Sequence, residues 1–189
     1  MEAPKQIKRI IVAVTGASGS LYARLLVEQL VAFAEVELSV IVTDTGLSVM
    51  RYEDNADWLE DSRLTRYDNH DLFAAPASGS ARFDALVVIP CSMGTIGRMA
   101  AGLSSDLLTR AADVMLKERR RLIVVPRELP LNTIHLRNLA TLSECGAIVC
   151  PASPSFYNHP QTIEALCQTV THRVIALLGL DSPSPEWGK

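Results

Sequence analysis

The sequence predicts an α/β fold, a parallel sheet covered by helices on both faces, and three observations carry that prediction. Short apolar runs alternate with helical patterns along the whole chain. The runs are continuously apolar, as in Ile10-Ile11-Val12-Ala13-Val14, which is how strands buried on both faces read. The first run also passes through Thr15-Gly16-Ala17-Ser18-Gly19-Ser20 straight into a helical pattern, a strand, glycine turn and helix in succession. Together these give a Rossmann-like (flavodoxin-like) doubly wound parallel sheet in three αβα layers, expected as a single domain over residues 1–189.

Taken in order, the first helix carries Leu21, Leu25, Leu26 and Leu30 on one face. Val36 to Val42 reads as the second strand, followed by a short helical piece that ends near Tyr52-Glu53. Residues 54–80 are polar and charged and then rich in alanine, proline and serine, an excursion rather than a linker because no second core follows. Ala85 to Ile89 is the third strand, closed by Pro90-Cys91-Ser92-Met93-Gly94-Thr95. A helix over Leu107 to Lys117 ends in the cations Lys117, Arg119, Arg120 and Arg121, which suit the negative end of a helix dipole. Leu122 to Val125 is the fourth strand, and a helix from about Asn132 stops at Gly146, a C-cap glycine. Ala147 to Cys150 is the fifth strand. The last helix presents Ile163, Leu166, Val170, Val174 and Leu177 as a buried stripe.

Composition narrows the function classes. A net charge of −3 favours neither nucleic acid nor anionic lipid. The four cysteines have neither zinc-ligand nor Cys-x-x-Cys spacing, so free thiols in a reducing cytoplasm are expected. The apolar run after Lys5, Lys8 and Arg9 stops at Thr15-Gly16, too short for a membrane span. A hydrophobic content of 48% fits either subunit interfaces or a well-filled core.

Sheets of this kind bind ligands outside the carboxyl ends of their strands. Those ends supply Gly16-Ala17-Ser18, Thr43, Ser92 to Thr95, Arg127-Glu128 and Ser155-Phe156-Tyr157. Such a set suits a nucleotide-like ligand with a phosphate and a planar ring. The Gly16 turn can offer helix N-terminal N–H groups to a phosphate, or it can be a tight turn with no ligand. A dehydrogenase reading would need a glycine where Tyr22 stands and a Tyr-x-x-x-Lys pair, which does not occur. There is no Walker A lysine motif either, so nicotinamide and P-loop chemistry both lose ground.

Six blocks then carry a resemblance: Thr15 to Gly19, Pro90 to Thr95, Leu108 to Val114, Leu116 to Arg120, Pro126 to Pro130 and Phe156 to Pro160. In this order they resemble the flavin prenyltransferase family (UbiX type), over nearly the whole chain except about residues 54–72. The resemblance implies a homododecameric flavoprotein that joins a dimethylallyl group from dimethylallyl monophosphate to reduced FMN. The product, prenylated FMN, would serve a UbiD-type decarboxylase. It implies an FMN site of Gly16, Ala17, Ser18, Thr43, Ser92, Met93, Gly94, Thr95 and Arg127. It implies a prenyl-phosphate site of Arg110, Lys117, Tyr157 and Arg173, with Trp187 covering the prenyl group, and Glu53, Glu128 and Lys117 at the reacting atoms. Thr43 stands where the family more often has serine, and the hydroxyl is kept.

The residue chemistry agrees. Breaking an allylic C–O bond puts negative charge on phosphate, which preorganised cations stabilise in the transition state. No Asp-Asp-x-x-Asp magnesium motif occurs, so a metal-independent reaction of a monophosphate is expected. Carboxylates suit the proton that must leave an aromatic carbon on ring closure. Arg119 to Arg121 read as a solvated helix end, Arg110 as a site residue or an interface ion pair, and Cys91 as core. Two alternatives stand beside this reading. One is an FMN-dependent cysteine decarboxylase of the phosphopantothenoylcysteine type, against which the missing asparagine in Pro90 to Thr95 counts. The other is a flavin-binding subunit without turnover.

Overall fold

The computed structural model describes residues 8–182. Its sheet has six parallel strands: β1 (Lys8–Val14), β2 (Val36–Val42), β3 (Thr65–Asp68), β4 (Ala85–Cys91), β5 (Arg121–Pro126) and β6 (Ile148–Val149). They lie in the order β3-β2-β1-β4-β5-β6, so the chain winds outward one way from β1 and then the other way from β4. Six helices connect them: α1 (Ser20–Leu30), α2 (Asp44–Tyr52), α3 (Met93–Ala100), α4 (Leu107–Lys117), α5 (Thr133–Glu144) and α6 (Ile163–Leu177). This is the doubly wound, three-layer arrangement that the alternating pattern predicts.

The two-residue period of β1 divides the core. Ile10, Val12 and Val14 face a cluster that α1 and α6 complete with Leu26, Leu30, Val170 and Val174. Ile11 and Ala13 face the opposite cluster, closed by Ile96 of α3 and by Leu108 and Met115 of α4. Burying apolar side chains on both faces stabilises such a sheet by about 25 cal/mol per Å². It also explains why the central strands show no polar alternation.

Four elements differ from the sequence reading. The sheet has six strands rather than five, because Thr65–Asp68 adds an edge strand inside the excursion of residues 54–80. That strand is charged and mostly exposed, as isolated edges are. Met93 to Ala100 forms a full helix beyond the expected turn, capped by Ser92. The last strand shrinks to Ile148 and Val149. In α6 the buried face is Cys167, Val170, Thr171, Val174 and Ile175, while Ile163 of the expected stripe is 71% exposed. Gly146, with φ +99°, takes the left-handed position after α5 as expected.

Candidate active site at the carboxyl edge of the sheet

The site begins where the sheet reverses its winding, between β1 and β4. Thr15, buried at the end of β1, donates its hydroxyl proton to the Pro90 carbonyl at 2.8 Å and accepts the Ser92 N–H at 2.8 Å. It fixes the exit of β4 and hence the start of α3. Thr15→Val keeps the shape but leaves the Ser92 N–H without its partner. The expected cost is about 2 kcal/mol, a fall of about 4–8 °C in melting temperature readable by calorimetry.

Two helices then point their N-termini at the same cleft. Thr43 caps α2 by accepting the Gly46 N–H at 3.0 Å, and its own N–H donates to the Val14 carbonyl at 3.0 Å. Ser92 caps α3 by accepting the Thr95 N–H at 3.3 Å, and the two hydroxyls lie 3.1 Å apart. The remaining first-turn N–H groups of a helix have no partner inside it and carry partial positive charge. The cleft between these ends has a volume of about 420 Å³ and is lined by Gly16, Thr43, Ser92 and Thr95 of the expected set. Asp44, Thr45, Asn69, His70, Arg98, Ser105 and Asp106 also line it, and sequence reasoning missed them. Asn69 belongs to the overlooked β3 connection. Its backbone and side-chain oxygens accept the Leu107 and Leu108 N–H groups at 2.8 and 3.0 Å, binding that loop to the start of α4.

At the α1 terminus a carboxylate of the chain itself takes up part of the turn's donors. The Glu53 carboxylate accepts the N–H of Gly19 at 3.0 and 3.1 Å, the N–H of Ser20 at 2.8 Å and the Ser20 hydroxyl at 2.6 Å. Burial alone would push this carboxyl up. The side-chain bonds from Ser20 and Ser18 and the backbone bonds from Gly19 and Ser20 outweigh it, and the group is held below the usual glutamate range. The N–H groups of Gly19 and Ser20 are therefore already paired with the chain's own anion, whereas Gly16 lines the cleft.

Around this centre the other expected residues take varied places. Ala17 is buried and Ser18 exposed; the Ser18 carbonyl accepts Arg127 Nε at 3.1 Å, tying the β5 exit to the Gly16 turn. Met93 turns its side chain into the core, which leaves only its backbone to a cofactor, and Gly94 is open. Glu128 is exposed and accepts the Leu129 N–H at 3.1 Å; Tyr157, in the loop after β6, is 73% exposed. Arg173 is exposed, and its charge bears on the Cys150 thiol, although burial keeps that thiol raised overall. Trp187 lies outside the described residues.

Arg110 and Lys117 do not join the cleft within one chain. Within one chain Arg110 pairs with Asp113 at 2.8 Å and donates to the Ala77 carbonyl at 3.1 Å. Lys117 ends α4, about 16 Å along the axis from the cleft side at 1.5 Å per residue. There the chain turns into the amino end of β5, the opposite edge of the sheet. Lys117 donates to Glu118 at 2.6 Å and lines a second groove of about 430 Å³ with Met99, Leu103, Leu116 and Cys145. Among the described residues no cluster of His, Cys, Asp or Glu could hold a metal ion, and no helix is long and apolar enough to cross a membrane.

A doubly wound sheet with hydroxyl residues and two helix N-termini at its switch point defines an α/β protein that binds a phosphate-bearing cofactor. Comparison with known proteins makes the class specific: the Flavoprotein family matches residues 1–175. A flavin prenyltransferase UbiX of Methanocaldococcus jannaschii is 46% identical over 183 residues, covering 95% of this chain and 98% of that protein. A solved structure of AnUbiX (PadA1) in complex with FMN and dimethylallyl pyrophosphate superposes with a TM-score of 0.90 at 36% identity, covering 97% of this chain and 99% of that one. A dodecameric FMN-dependent Ubix-like decarboxylase from Escherichia coli O157:H7 gives 0.89 at 37%, covering 96% and 100%. The chain belongs to the flavin prenyltransferase family. A PPC decarboxylase, at 19% identity and a TM-score of 0.68, shares the fold alone, so the cysteine-decarboxylase alternative is not favoured.

Proposed function

We propose that the protein transfers the dimethylallyl group of dimethylallyl monophosphate to reduced FMN, without a metal. The observation that carries this reading is the ionised Glu53 carboxylate held at the α1 turn, whose Gly16 lines a cleft with donors that suit a flavin phosphate. Holding a flavin does not require a carboxylate fixed by three donor groups, whereas ring closure on an aromatic carbon requires a proton acceptor. Two helix N-termini, the Thr43, Ser92 and Thr95 hydroxyls and the Arg98 Nε, unpartnered among the described residues, fit FMN's phosphate end. When bound, reduced FMN supplies the electron-rich ring that is alkylated.

The chain's own residues do the rest. As the allylic C–O bond breaks, its electron pair passes to the phosphate, and Arg110, Lys117, Arg173 and the Tyr157 hydroxyl stabilise that charge. Glu53 takes the ring proton and Glu128 stands beside Arg127 at the same strand exit, with Trp187 covering the prenyl group. Arg110 and Lys117 lie away from the cleft of their own chain, so a second copy supplies them. Leu129, at 87% exposed, and Ile134, at 66%, leave an apolar surface of the kind that subunit contacts cover. Assembly as a dodecamer, like the Escherichia coli relative, accounts for both. We place the protein in the cytoplasm, consistent with four free cysteines, and its prenylated FMN passes to a UbiD-type decarboxylase.

Mass spectrometry of the released flavin after incubation with reduced FMN tests this, with dimethylallyl monophosphate and pyrophosphate in parallel and with or without EDTA. Prenylated flavin from the monophosphate, formed equally with EDTA, is expected. Unchanged FMN overturns the transferase reading. Product only from the pyrophosphate and magnesium overturns the monophosphate, metal-free part.

A further inference from the structure

We infer that Arg98 binds the 5′-phosphate of FMN and makes the cleft select FMN over the unphosphorylated flavin; this rests on the flavin reading of that cleft. Among the residues lining the cleft, Arg98 carries the only permanent positive charge, while Asp44 and Asp106 are acidic. A phosphate monoester near neutral pH carries close to two negative charges, so beside two carboxylates it needs a fixed cation.

Geometry gives Arg98 the reach. It stands in α3, six residues after the Ser92 cap and three after Thr95. Side chains on a helix lean toward its N-terminus, so a long one at this position covers the first turn, where the helix N–H groups face the cleft. Gly94, four residues earlier on the same face, puts no side chain in between, and a Cβ built there would meet nothing within 4 Å.

The hydrogen bonding of Arg98 is incomplete without an anion. Nη2 donates to the Thr95 hydroxyl at 3.3 Å, and Nη1 lies 3.7 Å from Asp106 Oδ2, a long ion pair. Asp106 is engaged elsewhere: its Oδ1 accepts the Thr109 N–H at 2.8 Å and the Thr109 hydroxyl at 2.7 Å, capping α4. Arg98 Nε is buried and has no acceptor among the described residues. Arg98 lines the cleft, with its side chain 41% exposed. Turning its fork toward a phosphate would satisfy Nε and one Nη together, the two-point geometry that favours arginine over lysine. His70, paired with the exposed Asp44 at 3.1 Å on the facing wall, is a weaker candidate because its charge depends on protonation.

The test compares FMN with riboflavin on the full-length protein, by quenching of flavin fluorescence. Arg98→Met keeps the stem and removes the fork. The variant is expected to bind FMN roughly ten- to a hundredfold more weakly, the range of charge-assisted hydrogen bonds, with riboflavin affinity unchanged. Arg98→Lys should recover part of the loss, and added salt should weaken FMN binding in wild type more than in Arg98→Met. If wild type binds neither flavin, the flavin reading of the cleft fails. If wild type prefers FMN and Arg98→Met prefers it equally, the assignment of Arg98 fails. Equal losses for FMN and riboflavin with a lowered melting temperature would make Arg98 a structural partner of Asp106 and overturn the inference.

Discussion

Gly46→Ala is expected to yield a protein that melts roughly 10 °C below wild type and binds FMN poorly. A Cβ at Gly46 would lie 2.7 Å from the Val14 carbonyl oxygen, 3.0 Å from Thr43 Oγ1 and 3.2 Å from the Thr15 carbonyl carbon. Two of these atoms are backbone at the end of the central strand, where Ile10 to Val14 are no more than 1% exposed, so β1 cannot yield. The first turn of α2 must swing outward instead. That breaks the cap between Thr43 Oγ1 and the Gly46 N–H, worth about 1 kcal/mol, on top of about 1–3 kcal/mol for overpacking. At about 2–4 °C per kcal/mol for a chain of this size, the fall in melting temperature follows. FMN affinity falls with it, because the displaced turn carries Thr43, one wall of the cleft. Gly94→Ala is the control, since its Cβ meets nothing within 4 Å and should leave the melting temperature unchanged. Normal melting of Gly46→Ala would show that α2 is loosely seated.

What was legible in the sequence follows from which interactions are local. The central strands announced themselves because both faces are buried, so no residue of Ile10 to Val14 had to be polar. The strand exits were legible for the same reason: a parallel sheet delivers all of them to one edge. Helix α3 was not, since two glycines within Met93–Ala100 imitate a turn, and only the Ser92 cap and the packing of Ile96 and Met99 overrule that preference. Arg98 was lost with it. Strand β3 escaped because an edge strand needs no apolar alternation, and Asn69 escaped with β3. Lys117 entered through family resemblance, which names residues without locating them. Its distance from the cleft could have been foreseen, because a helix that leads into β5 must end at the amino edge of the sheet.

Glu53→Gln should have the largest effect on turnover, because the proposed reaction gives one carboxylate two tasks. It closes the N-terminus of α1, whose cap Gly19 has no side chain to do so, across 34 residues of sequence. In the proposed reaction it also takes the ring proton. Glutamine keeps the size, but it loses the charge and offers an NH2 group to the N–H groups of Gly19 and Ser20. The stability cost at neutral pH is expected to be about 1–2 kcal/mol, as for a lost helix cap. The sign of its pH dependence follows from the depressed pKa. In the unfolded chain the group titrates near the usual glutamate value of about 4.3, and in the folded protein it titrates lower. The charge-linked stability is thus fully present above that unfolded value and is lost as pH falls through the folded one. The melting gap between wild type and Glu53→Gln should hold steady from neutral pH to about pH 5 and close in more acid solution. Product formation should fall about 10²- to 10⁴-fold, the range of a lost general base. Wild-type product yield would remove Glu53 from the chemistry. A melting gap that persisted in acid would mean that shape, and not charge, is what Glu53 contributes to α1.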